Sequence, residues 1–279
     1  MEHVRWTLRP ELREPVVLAA FEGWNDAGDA ATTAARYLVD RWDLELVAEV
    51  DPEEFYDFTA TRPQVSLDEG VRQIDWPTTE IFAGTIPGAG TDVMVIIGME
   101  PQLRWRTYTQ ELTDVAQACG ARLSITLGAL LAEVPHTRPT PIVGTSVHAD
   151  AIGGFDLQPS SYEGPTGIVG VLHDAWNRAG IRSASLWATV PSYVPGAPSP
   201  KAALALIERI ASMLQTWIAT TDLEIASASY ERQVSELVDA DEETSTYVTS
   251  LEERLDEAPG VLPSAESIAE EVERFLRDQ

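Results

Sequence analysis

Lysine is almost missing from this 279-residue chain: Lys201, after Ser199-Pro200 at a predicted helix start, is the sole example. No Gly-rich loop ends in Gly-Lys-Ser/Thr, so a P-loop is excluded. An ATP site that draws lysines from two lobes is excluded as well, and a lysine Schiff base would have to come from a residue placed like a helix cap. Phosphate chemistry would fall to arginines and backbone amides. Cysteine is as scarce, with Cys119 alone, so no intramolecular disulfide is possible and a reducing cytoplasm is the expected compartment. Cys119 itself reads as a small apolar residue at a helix end. Positive charge is short: 19 Lys and Arg face 45 Asp and Glu, a net of -26. That field repels nucleic acid and anionic membrane surfaces, and salt screens it within about 10 Å. A partner surface is therefore expected to be basic or apolar. No apolar run approaches the roughly 18 residues needed to span a bilayer, and no signal-like segment opens the chain. Neither His-x-x-x-His nor a Cys/His cluster is present, so neither a metal nor another cofactor is expected.

What the chain does have is α/β alternation. Val16-Val17-Leu18-Ala19-Ala20-Phe21 is a continuous apolar run after Pro15, the pattern of a strand buried on both faces. It passes through Glu22-Gly23-Trp24-Asn25-Asp26-Ala27-Gly28 into a helix, with Asn25 or Asp26 as N-cap and Asp29 in the first turn. Further strands are expected over Leu44 to Val50, Asp92 to Gly98, Leu123 to Leu127, Pro141 to Val147 and Ser185 to Val190. Helices are expected over Asp26 to Asp40, Arg106 to Cys119, Gly167 to Ala179 and Lys201 to Ile218. Asp51 to Ala89 reads as irregular, with a hairpin around Arg72 to Phe82. This predicts an α/β fold: a three-layer α/β/α sandwich on a mostly parallel sheet, residues 1–221, followed by an acidic helical extension, residues 222–279. The extension carries seventeen acidic residues against four arginines, half of the net charge. Its predicted helices are Asp222 to Asp239, Glu242 to Asp256 and Ser264 to Leu276.

Chemistry-bearing residues are sparse. Asp26 and Asp29 lie three apart, as a carboxylate pair on one helical face would; acids there also complement the helix dipole. Tyr162-Glu163-Gly164-Pro165-Thr166-Gly167 enters a helix whose first turn has no acid. It is either an anion cradle or a plain turn capped by Thr166. Glu100, Arg104 and Trp105 follow an apolar strand, where open α/β sheets place ligands. Their alternative is an internal Glu-Arg pair with Trp105 covering the core. His136 precedes Arg138 in Pro135-His136-Thr137-Arg138, and His148 and His173 read as loop and packing residues. Gly144-Thr145-Ser146-Val147-His148 sets a serine near a histidine without a Gly-x-Ser-x-Gly elbow.

Phe21 to Gly28, Glu54-Phe55-Tyr56-Asp57-Phe58 with Thr61-Arg62-Pro63, Gly98 to Trp105, Pro135 to Arg138 and Tyr162 to Gly167 together resemble the proteasome assembly chaperone 2 family. The arginine-rich, lysine-poor composition is similar to its actinobacterial members. The resemblance covers about residues 15 to 215. It implies a sandwich similar to nucleoside phosphorylase and hydrolase-like folds, and assembly as a homo-oligomer, with a trimer as the state it points to. It also implies proteasome α-subunits as partners. Some relatives dock through a hydrophobic-Tyr-any residue ending; here Asp278 stands at the tyrosine position. Two functions follow. One is a non-enzymatic interaction protein that uses the Trp24 and Trp105 loops and the acidic tail. The other is a phosphorylase- or hydrolase-type enzyme with Asn25, Glu100, Arg104, His136 and Arg138 lining one pocket.

Overall fold

The computed structural model describes residues 1–68, 70–148, 155, 157–160 and 162–257. Along the chain run β1 (Val4–Trp6), β2 (Val16–Glu22), a 3-10 turn (Ala27–Asp29), α1 (Ala30–Arg41), β3 (Glu45–Val50), β4 (Gln64–Asp68), β5 (Val71–Asp75) and β6 (Thr79–Thr85). They are followed by β7 (Asp92–Met99), α2 (Trp105–Ala118), β8 (Leu123–Ala132), β9 (Ile142–Ser146), α3 (Ile168–Arg178), β10 (Arg182–Pro191), α4 (Pro200–Leu214), α5 (Thr221–Asp239) and α6 (Glu242–Glu257).

Eight strands form one sheet in the order β1-β3-β6-β7-β2-β8-β10-β9. The central four, β7-β2-β8-β10, are mutually parallel, and antiparallel strands flank them on both sides. β2 sits in the middle, which is why its sequence is apolar at successive positions rather than at alternate ones. Its period-2 geometry sends Val16, Leu18 and Ala20 to one core, with the small residues of α1 and Ala203, Leu206 and Ile207 of α4. Val17, Ala19 and Phe21 go to the other core, with Tyr108 and Leu112 of α2 and Ile168, Leu172 and Trp176 of α3. The result is the predicted α/β/α sandwich. Each fully buried large side chain contributes on the order of 1.5–3 kcal/mol.

Local chemistry sets several boundaries. Ser199 Oγ accepts from Ala202 N at 3.3 Å and Pro200 occupies the first turn, so α4 starts where capping rules place it. The helix expected to reach Ile218 stops at Leu214, because Gln215 turns left-handed with φ 51°. The segment read as irregular contains three strands. The hairpin is β4–β5 rather than Arg72 to Phe82, and β6 instead joins the main sheet beside β7. Turn-forming residues on either side of β6 hid its alternating burial.

α5 is amphipathic: Leu223, Ser227, Tyr230, Val234 and Val238 face inward at helical spacing. Tyr230, Val234 and Val238 form a third apolar cluster with Val248 of α6, covered by Tyr193 and Val194. The predicted helix Ser264 to Leu276 lies outside the described residues.

Candidate functional site

The strand-to-helix junction after β2 is built around two buried side chains. Asp26 accepts from Ala31 N at 2.6 Å, from Thr32 N at 3.2 Å and from the Thr32 hydroxyl, so it caps α1 from one turn away across the 3-10 turn. Gly28 makes that turn possible with φ 60°. Burial outweighs these three donors and pushes the Asp26 carboxyl up to about 6. Asp29 stands exposed and left-handed at the α1 N-cap, away from the Asp26 carboxylate's work. The two acids therefore act as helix-start residues.

Asn25 is fully buried, and its Nδ2 donates to Glu100 Oε1 at 2.8 Å. The same Glu100 oxygen accepts from Ile168 N at 2.8 Å, the first helical residue of α3. Glu100 therefore ties the ends of β2 and β7 to the N-terminus of α3. Gly167 is required there, since a β-carbon would overlap the Asn25 carboxamide. It is Gly167, not Thr166, that stands at the N-cap, and no side chain of the turn caps the helix. The Thr166 hydroxyl contacts Gly167 O at 3.4 Å, and Tyr162 donates to Pro165 O at 2.7 Å across Gly164. The anion-cradle reading of this turn is thus corrected: the positive end of α3 is already met by the Glu100 carboxylate.

Arg104 pairs with Glu54, not with Glu100, and Trp105 packs half-buried with its indole N–H on Pro101 O at 2.5 Å. Trp24 is half-buried at the same edge. Tyr56 is buried; its hydroxyl donates to Met99 O at 2.8 Å and meets Thr79, which in turn bonds Tyr108. Asp57 accepts from Thr59 N and Oγ1, closing a loop turn, and Arg62 is exposed.

His136 and Arg138 belong to a separate cluster, which corrects the expected single pocket. Tyr193 Oη accepts from His136 N at 2.7 Å and lies 2.8 Å from Nδ1; His136 Nε2 lies 2.9 Å from Ser235 Oγ of α5. Lys201 donates to His136 O at 2.5 Å and pairs with Glu231 at 2.6 Å. Burial, then Lys201, lowers the His136 pKa below its ordinary range. Arg138 grips Asp256 of α6 through two bonds of 2.9 and 2.7 Å and reaches Glu252, which also takes the Thr137 hydroxyl. The Pro135-to-Arg138 motif is the anchor for α5 and α6. The cavity beside it, lined by His136, Thr189, Lys201 and Tyr230 among others, holds about 10 Å³, space for one water. Sequence reasoning missed Tyr193, Ser235, Glu252 and Asp256 as partners; the single lysine was the one usable signal.

Among the described residues no helix is long and apolar enough to cross a membrane, and no group of three or more His, Cys, Asp or Glu is set to hold a metal.

The PAC2 family model matches residues 20–238. A PAC2 family protein from Streptomyces avermitilis is similar at 44% identity and a TM-score of 0.79, over 84% of this chain and 99% of its own. A proteasome-assembly chaperone homologue from Mycobacterium tuberculosis is 41% identical with a TM-score of 0.76, again over 84% and 99%. An archaeal proteasome activator from Pyrococcus furiosus shares the fold at 17% identity and a TM-score of 0.68, over 84% and 97%. Comparison with curated proteins gives no match. With a family match over most of its length and two such relatives, the chain belongs to the PAC2 family.

Proposed function

We propose that this chain is a non-enzymatic interaction protein that binds other proteins in the manner of a proteasome assembly chaperone, with proteasome α-subunits as partners and a homo-oligomer as its working form. The observation that carries this reading is the internal pairing of Glu100, Arg104, His136 and Arg138, with the buried Asn25 Oδ1 the one candidate atom among these groups that has no hydrogen-bond partner. Glu100 is held by Asn25 and Ile168, Arg104 by Glu54, His136 by Tyr193 and Ser235, and Arg138 by Asp256. A catalytic pair needs a nucleophile and a base aimed at space for a substrate; these groups are spent on holding loops and helices. What they build is a rigid carboxyl edge that presents Trp24, Trp105 and Arg104, residue types that anchor interfaces. The 41% identical Mycobacterium tuberculosis relative, itself a proteasome-assembly chaperone homologue, supports the choice of partner.

Sedimentation velocity of the full-length chain with purified proteasome α-subunits tests the reading. A faster complex that weakens on Trp24→Ala or Arg104→Glu is expected. Independent sedimentation of both proteins at tens of micromolar would overturn it.

A further inference from the structure

β4 and β5 pair only with each other among the described residues, and every position in them is exposed. Trp76, edge-on to Phe58 at 4.9 Å, ties this hairpin to the body of the protein. A two-stranded hairpin alone is marginal in water. Its register runs from Gln64 opposite Asp75 to Asp68 opposite Val71, with two residues between the strands. A loop that short closes on a hydrogen-bonded pair, Asp68 with Val71, and bonded and non-bonded pairs alternate from there. The N–H and C=O of Ser66 therefore point at β5. Those of Val65 and Leu67 point outward and meet no partner among the described residues. Pro63, next in that outward row, has no N–H to extend it.

This open edge is complementary to itself. When β4 pairs antiparallel with β4 of a second copy about a two-fold axis at Ser66, the outward groups of Val65 meet those of Leu67 in the other chain, twice, for four hydrogen bonds. The side chains agree with the backbone. Opposed residues share a face, so Val65 meets Leu67, Gln64 meets Asp68 as amide donor to carboxylate, and Ser66 meets Ser66. Ile74 stands beside Val65 on the same face, and Arg72 beside Leu67. One face of the resulting four-stranded sheet then carries six contiguous apolar side chains with Arg72 at two corners. Val65, Leu67 and Ile74 are 51% to 73% exposed in the single chain, so the pairing covers surface that is otherwise wet. Val71 lies on the opposite face, among the polar residues.

The edge of β5 fits itself worse. The equivalent axis at Gln73 sets Arg72 against Ile74 and Val71 against Asp75, each an apolar side chain against a charge. Pairing through β4 therefore closes at two copies. Charge permits the approach as well: the described residues of the two strands carry Asp68, Asp75 and Arg72, nearly neutral in a chain of net charge -26.

We propose that two copies of this chain pair through their β4 edges, antiparallel about a two-fold axis at Ser66, into a four-stranded sheet β5-β4-β4-β5. This rests on the homo-oligomer part of the proposed function and names one contact within it. Two five-residue strands bury less than a standard interface of roughly 1,600 Å², so the contact acting alone is expected to respond to dilution in the micromolar range.

Disulfide trapping in the full-length chain tests it. In a Cys119→Ala background, Ser66→Cys sets two thiols across the axis at a non-hydrogen-bonded pair, where Cα atoms lie about 4.5 Å apart, within disulfide reach. Gln73→Cys, equally exposed and on the same face, sets them three strand spacings apart, roughly 15 Å. With oxidised glutathione as oxidant, Ser66→Cys is expected to form the covalent dimer about tenfold or more faster than Gln73→Cys. Val65→Pro removes an outward N–H while leaving the β4–β5 bonds intact, and should erase that difference. Equal rates for the two cysteines would overturn the proposal and leave a homo-oligomer built on another face standing. Sedimentation of the wild type as a monomer up to about 200 µM would overturn both. Protection of the Val65 and Leu67 amides from exchange in such a monomer would assign the edge to another segment of its own chain.

Discussion

Asp26 and His136 are buried titratable groups with opposite consequences for stability. The Asp26 carboxyl, raised from 3.8 to about 6 by burial, binds its proton more tightly in the folded chain than in the unfolded one. Its contribution is therefore complete below pH 4 and is lost as pH rises through about 6. Relative to Asp26→Asn, which cannot titrate, the wild type should lose on the order of 3 kcal/mol of unfolding free energy across that window. Urea unfolding of both proteins at a series of pH values measures the difference; parallel curves would contradict the assignment. His136 runs the other way. Its folded pKa is lowered by burial and Lys201, against the pull of Glu231, Glu252 and Asp239, so its neutral form belongs to the fold. The stability tied to it is present above about 6.5 and is lost as pH falls. Glu100 acts without a titration argument. Glu100→Ala removes the acceptor shared by Asn25 and Ile168, and should cost about 1–3 kcal/mol in thermal or urea unfolding, because a buried amide and a helix N-terminus lose their partner together.

At the scale of elements, α5 and α6 are held to the sandwich by a short loop. Glu133 pairs with Arg254, Thr137 with Glu252, and Arg138 with Asp256, while Tyr230, Val234, Val238 and Val248 supply the apolar contact. Arg138→Ala should accelerate amide exchange in Glu242–Glu257 severalfold and leave β8 and β10 unchanged; exchange in α6 that does not respond would show that the ion pairs are dispensable. Much of this element order was legible beforehand. β2 and β7 announced themselves by unbroken apolar runs, and α4 by Ser199-Pro200. β1 escaped because three residues, Val4–Trp6, carry no periodic signal. β4 escaped because its alternation has no buried face, and β5 because Val71 and Ile74, three apart, do not alternate, both inside a segment rich in proline and polar residues. The site was less legible than the fold. Glu100 was found by its position after a strand, but its partners, Asn25 and Ile168, are 75 and 68 residues away and nothing local announces them. His136 and Arg138 were singled out as a motif and placed in the wrong cluster, because the helices that claim them come about a hundred residues later.

At the scale of the whole molecule, a net charge of -26 repels like-charged surfaces and speeds encounter with basic ones. Binding to a basic partner should therefore weaken as salt rises from about 0.05 to 0.5 M, since the screening length falls from over 10 Å to about 4 Å. Measured association rates that ignore salt would locate the contact away from the acidic surface. The central proposal is that the internally bonded carboxyl edge serves protein recognition rather than chemistry. Affinity capture tests it most directly: the tagged full-length chain is isolated from a lysate of its own source after mild crosslinking, and partners are quantified by mass spectrometry against a tag-only control. Enrichment of proteasome α-subunits is the predicted result. Recovery of the chain alone, with no protein partner surviving stringent washing, would contradict it.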